Sequence, residues 1–148
     1  PSWNHDTPLR NHFERRQALV EIDVLAAMSF GLSLEDLEFI YDIQFPVLRQ
    51  NEDDTWYDQK GNVVYSVSLC KKGVGVDRAT WNTIRGEQLS DNIYQGATSF
   101  YIHTVPVEKS ELYGGEQVTY YAPYTRCDRI ADYRRAWTFF EERFKNED

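Results

Sequence analysis

The stretch Ala18 to Leu37, Ala-Leu-Val-Glu-Ile-Asp-Val-Leu-Ala-Ala-Met-Ser-Phe-Gly-Leu-Ser-Leu-Glu-Asp-Leu, constrains the fold more than any other part of the chain. An apolar helix-forming run stops at Gly31, and a second one starts directly after Ser33. Glycine suits the left-handed position just past a helix end. Serine suits the N-cap, and Asp36 three residues on can complete a capping box. Leu32 and Leu37 take the N′ and N4 positions of a hydrophobic staple. Each residue has a physical reason to be there, and together they predict two helices joined by a tight corner.

The rest of the chain reads around that hairpin. The first helix extends back to Asn11. Its second half is apolar on nearly all sides, which predicts burial, with Glu21 and Asp23 as a narrow wet face. The second helix runs from Leu34 to about Phe45, where Pro46 ends or kinks it and Val47 and Leu48 can extend it. Thr55–Tyr57 and Val63–Val67 read as two strands around the turn Asp58-Gln59-Lys60-Gly61-Asn62. Asp77 to Arg85 reads as a short helix. Ser99–Val107 and Gln117–Ala122 read as strands, with a turn at Gly114-Gly115 between them. From Asp128 to Lys145, Ile130, Tyr133, Trp137, Phe140 and Phe144 follow each other at intervals of three and four, the core stripe of an amphipathic helix. The expected class is α+β: a helical hairpin and a C-terminal amphipathic helix packed on a small antiparallel sheet.

The chain has 148 residues, of which 41% are hydrophobic and 15% aromatic. That points to one soluble domain with a stable core. No apolar run reaches the roughly 18–20 residues of a membrane span. Because the chain starts at Pro1 and its only methionine is Met28, we expect an excised piece of a longer protein. Cys70 and Cys127 lie far apart and read as free buried thiols of a cytoplasmic protein.

Several chemistries lack their residues. His5, His12 and His103 do not supply a zinc site with local ligand spacing. Counting back from Gly61 places Trp56 and Lys60 where a calcium loop needs oxygen ligands. The loop Lys71–Gly75 is basic and glycine-containing but has no Gly-Lys-Ser/Thr terminus for phosphate. No Ser-His-Asp or Cys-His arrangement is suggested, and Glu141 and Glu142 are neighbours on a helix that point different ways.

The hairpin also carries a resemblance. Ile22, Asp23, Leu25, Ala26, Gly31, Leu32, Ser33, Glu35, Asp36 and Leu37 resemble an Ile-Asp-x-Leu-Val-Ala-x-x-x-Gly-Leu-Thr-x-Glu-Glu-Leu stretch. That stretch follows the target-recognition region of large bacterial adenine-specific DNA methyltransferases of the combined restriction-and-modification kind. Ala122-Pro123-Tyr124-Thr125-Arg126-Cys127-Asp128-Arg129-Ile130-Ala131-Asp132-Tyr133 is similar to the Ala-Pro-Phe-x-Arg-Cys-Asp-Arg-Glu-x-Asp-Tyr tail of actinobacterial members, departing at Ile130. Phe45-Pro46-Val47-Leu48-Arg49 and Trp56-Tyr57-Asp58 with Gly61 resemble them too. These are family marks that bind no cofactor and perform no chemistry. The Gly-rich cofactor loop and the Asn/Asp-Pro-Pro-Tyr/Phe motif of such enzymes are both missing from this chain.

The resemblance implies a non-catalytic C-terminal domain of a DNA adenine methyltransferase in a restriction-modification or phage-defence system. S-adenosylmethionine is then bound by the parent's catalytic domain, and this piece needs no cofactor of its own. Its partners would be that catalytic domain and, as a further candidate, duplex DNA. Lys71, Lys72, Arg78 and Arg85 surround Trp81, and basic groups beside an aromatic face can hold phosphates and stack on bases. These five are the candidate DNA contacts. A second basic group, Arg126, Arg129, Arg134 and Arg135, crowds the start of the last helix. The formal net charge of −8 works against DNA binding and favours the alternative, a docking module with no DNA contact. A continuous basic surface would support the first reading and an exposed apolar patch the second.

Overall fold

The computed structural model describes residues 4, 7–88, 100–104 and 117–147. The chain divides into two compact units, Pro1–Asp53 with Asp128–Asp148 and, separately, Asp54–Cys127. Among the described residues no helix is long and apolar enough to cross a membrane.

The first unit is helical. Helix α1 spans His12–Ser29, capped by the Asn11 side chain, which accepts from the Glu14 amide at 2.7 Å. It ends as the sequence predicts. Gly31 sits at φ 71°, the Gly31 amide donates to the Met28 carbonyl, and the Leu32 amide donates to the Ala27 carbonyl, both at 3.0 Å. That is a Schellman ending. Helix α2 spans Leu34–Gln44, and its capping box is complete, with Ser33 and Asp36 exchanging backbone and side-chain hydrogen bonds. Pro46 opens a new helix, α3, Pro46–Asp53. Proline is favoured in a first turn because the missing N–H would have no helical partner there. The last helix, α5, spans Arg129–Glu147, and the Asp128 carboxylate caps it through the Ala131 amide.

The core of this unit joins Val20, Val24 and Ala27 of α1, Leu37 and Tyr41 of α2, and Tyr133 and Phe140 of α5. Helix α1 packs directly along α5. Two expectations need correction. The apolar half of α1 is buried on one face only; Leu19 and Ile22 are 57% and 59% exposed, and Phe30 80%. Three helices cover less than the whole circumference of α1, so its outer apolar face stays open. In the α5 stripe, Tyr133 and Phe140 are buried and Ile130 and Trp137 half-buried, while Phe144 is exposed because the stripe outruns its neighbours.

The second unit holds the strands and a helix. Strand β1, Thr55–Tyr57, pairs antiparallel with β2, Val63–Ser66, on one edge and with β5, Thr125–Arg126, on the other. The turn between β1 and β2 closes on Asp58, whose carboxylate accepts from the amides of Lys60 and Asn62 at 2.9 and 2.8 Å. Strands β3, Phe100–Thr104, and β4, Gln117–Tyr121, form a separate antiparallel pair. Helix α4 is Arg78–Gln88, capped by Asp77 through the Thr80 amide. The α+β class and the antiparallel sheet match the sequence reading. The Gly114-Gly115 turn and the ends of the expected strand Ser99–Val107 lie outside the described residues.

Candidate functional site

The helical unit contains a buried ionic network, built from residues far apart in sequence. Glu52, near the end of α3, is its hub. Oε1 of Glu52 accepts from Arg129 Nη2 at 2.7 Å and from Arg16 Nε at 3.2 Å. Oε2 accepts from Arg129 Nε at 2.8 Å and from the Tyr41 hydroxyl at 2.9 Å. Arg16 also pairs with Asp132, which in turn takes Arg135. Arg129 donates to Asp23 Oδ2 at 3.0 Å, and the Tyr133 hydroxyl donates to the same oxygen at 2.8 Å. Glu52, Arg16, Arg129 and Asp132 are all buried.

Burial opposes the ionisation of Glu52, yet the hydrogen bonds and charge of Arg129, with the charge of Arg16, outweigh it and hold the carboxyl below its ordinary range. Burial likewise works against the Arg129 cation, but the Glu52 hydrogen bonds win and raise its pKa. The Tyr133 hydroxyl is pushed up to about 12, first by burial and then by its hydrogen bond to Asp23. The charges are therefore locked and mutually neutralised, which suits a rigid scaffold better than proton transfer.

Above this network lies an apolar groove of about 360 Å³. Ala26 of α1, Phe30 just past its end, Ile40, Phe45 and Leu48 line it. Tyr41, Arg129, Tyr133 and Asp23 of the network line it too. Outside the groove lining, Leu19 and Ile22 of α1, Ile43 of α2 and Val47 of α3 are exposed as well.

The five candidate DNA contacts have mixed fates. Lys71 and Lys72 are exposed, in the 3-10 turn Cys70–Lys72. Arg78 is engaged: it pairs with Asp54 at 3.0 Å and lies over the Tyr65 ring, 5.3 Å from its centroid. Arg85 lies over the Trp56 ring at the same distance. Trp81 is 1% exposed and offers no face to a base. It is the centre of the second unit's core, stacked on Tyr65 at 6.0 Å and met by Trp56 and Tyr124. The reason is helical spacing: Trp81 shares one side of α4 with buried Ile84, and that side turns inward. In the second basic group Arg129 is buried, and Arg134 and Arg135 pair with Glu38 and Asp132.

Sequence reasoning missed Arg16, Tyr41, Glu52 and the role of Asp23, which is a network member and not merely a wet face. Sequence separation hid them: Arg16 and Glu52 lie 36 residues apart, and Glu52 and Arg129 77. Among the described residues no group of His, Cys, Asp or Glu side chains could hold a metal ion, and Cys70 and Cys127 are free thiols. Comparison of the chain with protein-family models, curated proteins and solved structures finds no match.

Proposed function

We propose that this chain is a non-catalytic domain from the C-terminal region of a DNA adenine methyltransferase, and that it braces its parent enzyme by docking to another domain. The observation that carries the docking half is the open apolar surface on the helical unit. Large apolar side chains left exposed around a groove suit an interaction site. Charge supports the same reading. The helical unit holds sixteen acidic and nine basic residues, a formal −7. Several of its arginines are already ion-paired. Such a surface repels phosphates. The parentage rests on the sequence resemblance, whose marked residues Asp23, Arg129, Asp132 and Tyr133 meet in one network. On this reading the parent's catalytic domain binds S-adenosylmethionine and is the docking partner, and the protein works in the cytoplasm.

The test uses the full-length parent. It should methylate adenine in duplex DNA with S-adenosylmethionine, and deleting this region should cut site-specific methylation while cofactor binding persists. A parent without methyltransferase activity, or one indifferent to the deletion, overturns the proposal.

A second reading has an observation of its own. Lys71 and Lys72 are exposed on a unit whose formal charge is only −1, so this loop can approach a phosphate backbone. Lys71→Glu with Lys72→Glu should then weaken binding to every duplex sequence and flatten the salt slope, by about 0.9 per lost phosphate contact. Equal binding by both proteins removes DNA contact from this loop.

A further inference from the structure

We infer that the groove between α1 and α2 receives an amphipathic helix of a partner, one that presents an apolar stripe flanked by Lys and Arg. This rests on the docking half of the reading above and is independent of the methyltransferase parentage.

The shape argues for a helix. The exposed apolar stripe Leu19, Ile22, Ala26 and Phe30 runs at intervals of three and four along the second half of α1 and its C-cap, about 17 Å at 1.5 Å per residue. Ile40 and Ile43 of α2 form a second exposed row, of which Ile40 lines the groove. Two such rows accept a third helix through its residues at i, i+3, i+4 and i+7. Leu19, Ile22 and Ile43 are exposed but do not line the 360 Å³ concavity, so a small molecule seated there would leave them wet.

Charge selects the occupant. Between Arg16 and Arg49 the chain carries six acidic residues, Glu21, Asp23, Glu35, Asp36, Glu38 and Asp42, and no Lys, Arg or His; Glu38 and Asp42 are paired with Arg134 and Arg49, and Asp23 is the one that lines the groove. The cation that lines the groove, Arg129, is already held by Glu52 and Asp23. Asp23 brings its charge into the groove itself, with 43% of its side-chain surface open. Its Oδ2 is used by Arg129 and Tyr133, while Oδ1 accepts from no described residue and can receive a Lys or Arg donor. A second copy of the chain would bring another −7 helical unit against this one, so self-association is opposed by like charge.

The test titrates the intact chain against two fluorescein-labelled synthetic helices of about 18 residues, long enough to cover the α1 stripe. Both carry the same Leu/Ile/Phe stripe; one is flanked by Lys and Arg, the other by Glu. The basic peptide should bind about threefold more tightly, from one exposed pair with Asp23 and the −7 charge of the unit. The preference should narrow with added salt. Phe30→Ser and Ile40→Ser, both outside the buried core, should abolish binding with thermal unfolding unchanged. Asp23→Asn keeps an acceptor for Tyr133 and should reduce the preference for the basic peptide. Equal affinity for both peptides, binding of neither, or indifference to Phe30→Ser overturns the inference. Phe30-dependent dimerisation in sedimentation also overturns it, by assigning the groove to a second copy.

Discussion

Glu52→Gln is the sharpest perturbation of the helical unit. The carboxylate accepts four hydrogen bonds, three from the buried cations Arg16 and Arg129 and one from Tyr41. The amide keeps one acceptor oxygen and turns an NH₂ donor toward groups that are themselves donors. Two buried guanidinium groups lose their shared counter-charge; Arg16 is left with Asp132, and Arg129 with the half-exposed Asp23. Breaking a buried ionic pair from one side costs about 3–5 kcal/mol, because the remaining charge stays desolvated. With a urea dependence of about 2 kcal/mol per molar, the midpoint should fall by roughly 1.5–2.5 M. The control is Asp42→Asn, which removes an exposed pair with Arg49 and should cost at most about 1 kcal/mol. Urea titration followed by helical circular dichroism compares the two. The same interaction should yield to acid. The Glu52 carboxyl is held below its ordinary 4.5, so its contribution is fully present above that pH and fades as pH falls through the lower folded value. Glu52→Gln should lack that part of the acid sensitivity. A midpoint shift no larger than that of Asp42→Asn would refute the buried hub.

Four further outcomes are expected. At Gly75, φ is +77° and a Cβ would stand 2.4 Å from the Val64 carbonyl oxygen, so Gly75→Ala should cost about 2–5 kcal/mol from left-handed strain plus overpacking. Gly31→Ala, with φ +71° and open space around it, should cost only about 1–2 kcal/mol in the same denaturation assay. Trp81→Ala should lose the roughly 3–5 kcal/mol of a fully buried aromatic, whereas half-buried Trp137→Ala should lose about half that; equal midpoint shifts would contradict the burial difference. The Tyr133 hydroxyl titrates near 12 against an ordinary 10, so its stabilisation is complete below pH 10 and is lost as pH rises through about 12. Alkaline unfolding monitored by circular dichroism should therefore be less steep in Tyr133→Phe across that window.

The features determined by the sequence itself act over a few residues. The Gly31-Leu32-Ser33 corner and the Asp36 capping box were legible because each is a contact between residues at most five apart. The α5 periodicity and the Asp58–Asn62 turn were readable for the same reason. Pro46 was half legible: its ring forbids continuation of α2, but whether the chain then turns or starts another helix depends on what α3 can bury. The inward side of α1, Val20, Val24 and Ala27, and its outward side, Leu19, Ile22 and Phe30, are equally apolar. Only the number of helices available to cover α1 decided which side stayed open, and hence where the groove lies. Trp81 shows the same limit, since an aromatic among cations can be a stacking platform or a core residue, and the packing of Tyr65, Trp56 and Tyr124 made it core. The ionic hub was out of reach altogether. Glu52 meets Arg16 across 36 residues and Arg129 across 77, and Asp23 meets Arg129 across 106. No local propensity couples groups so far apart; their pairing follows only when three helices converge and remove the water that would otherwise solvate each charge.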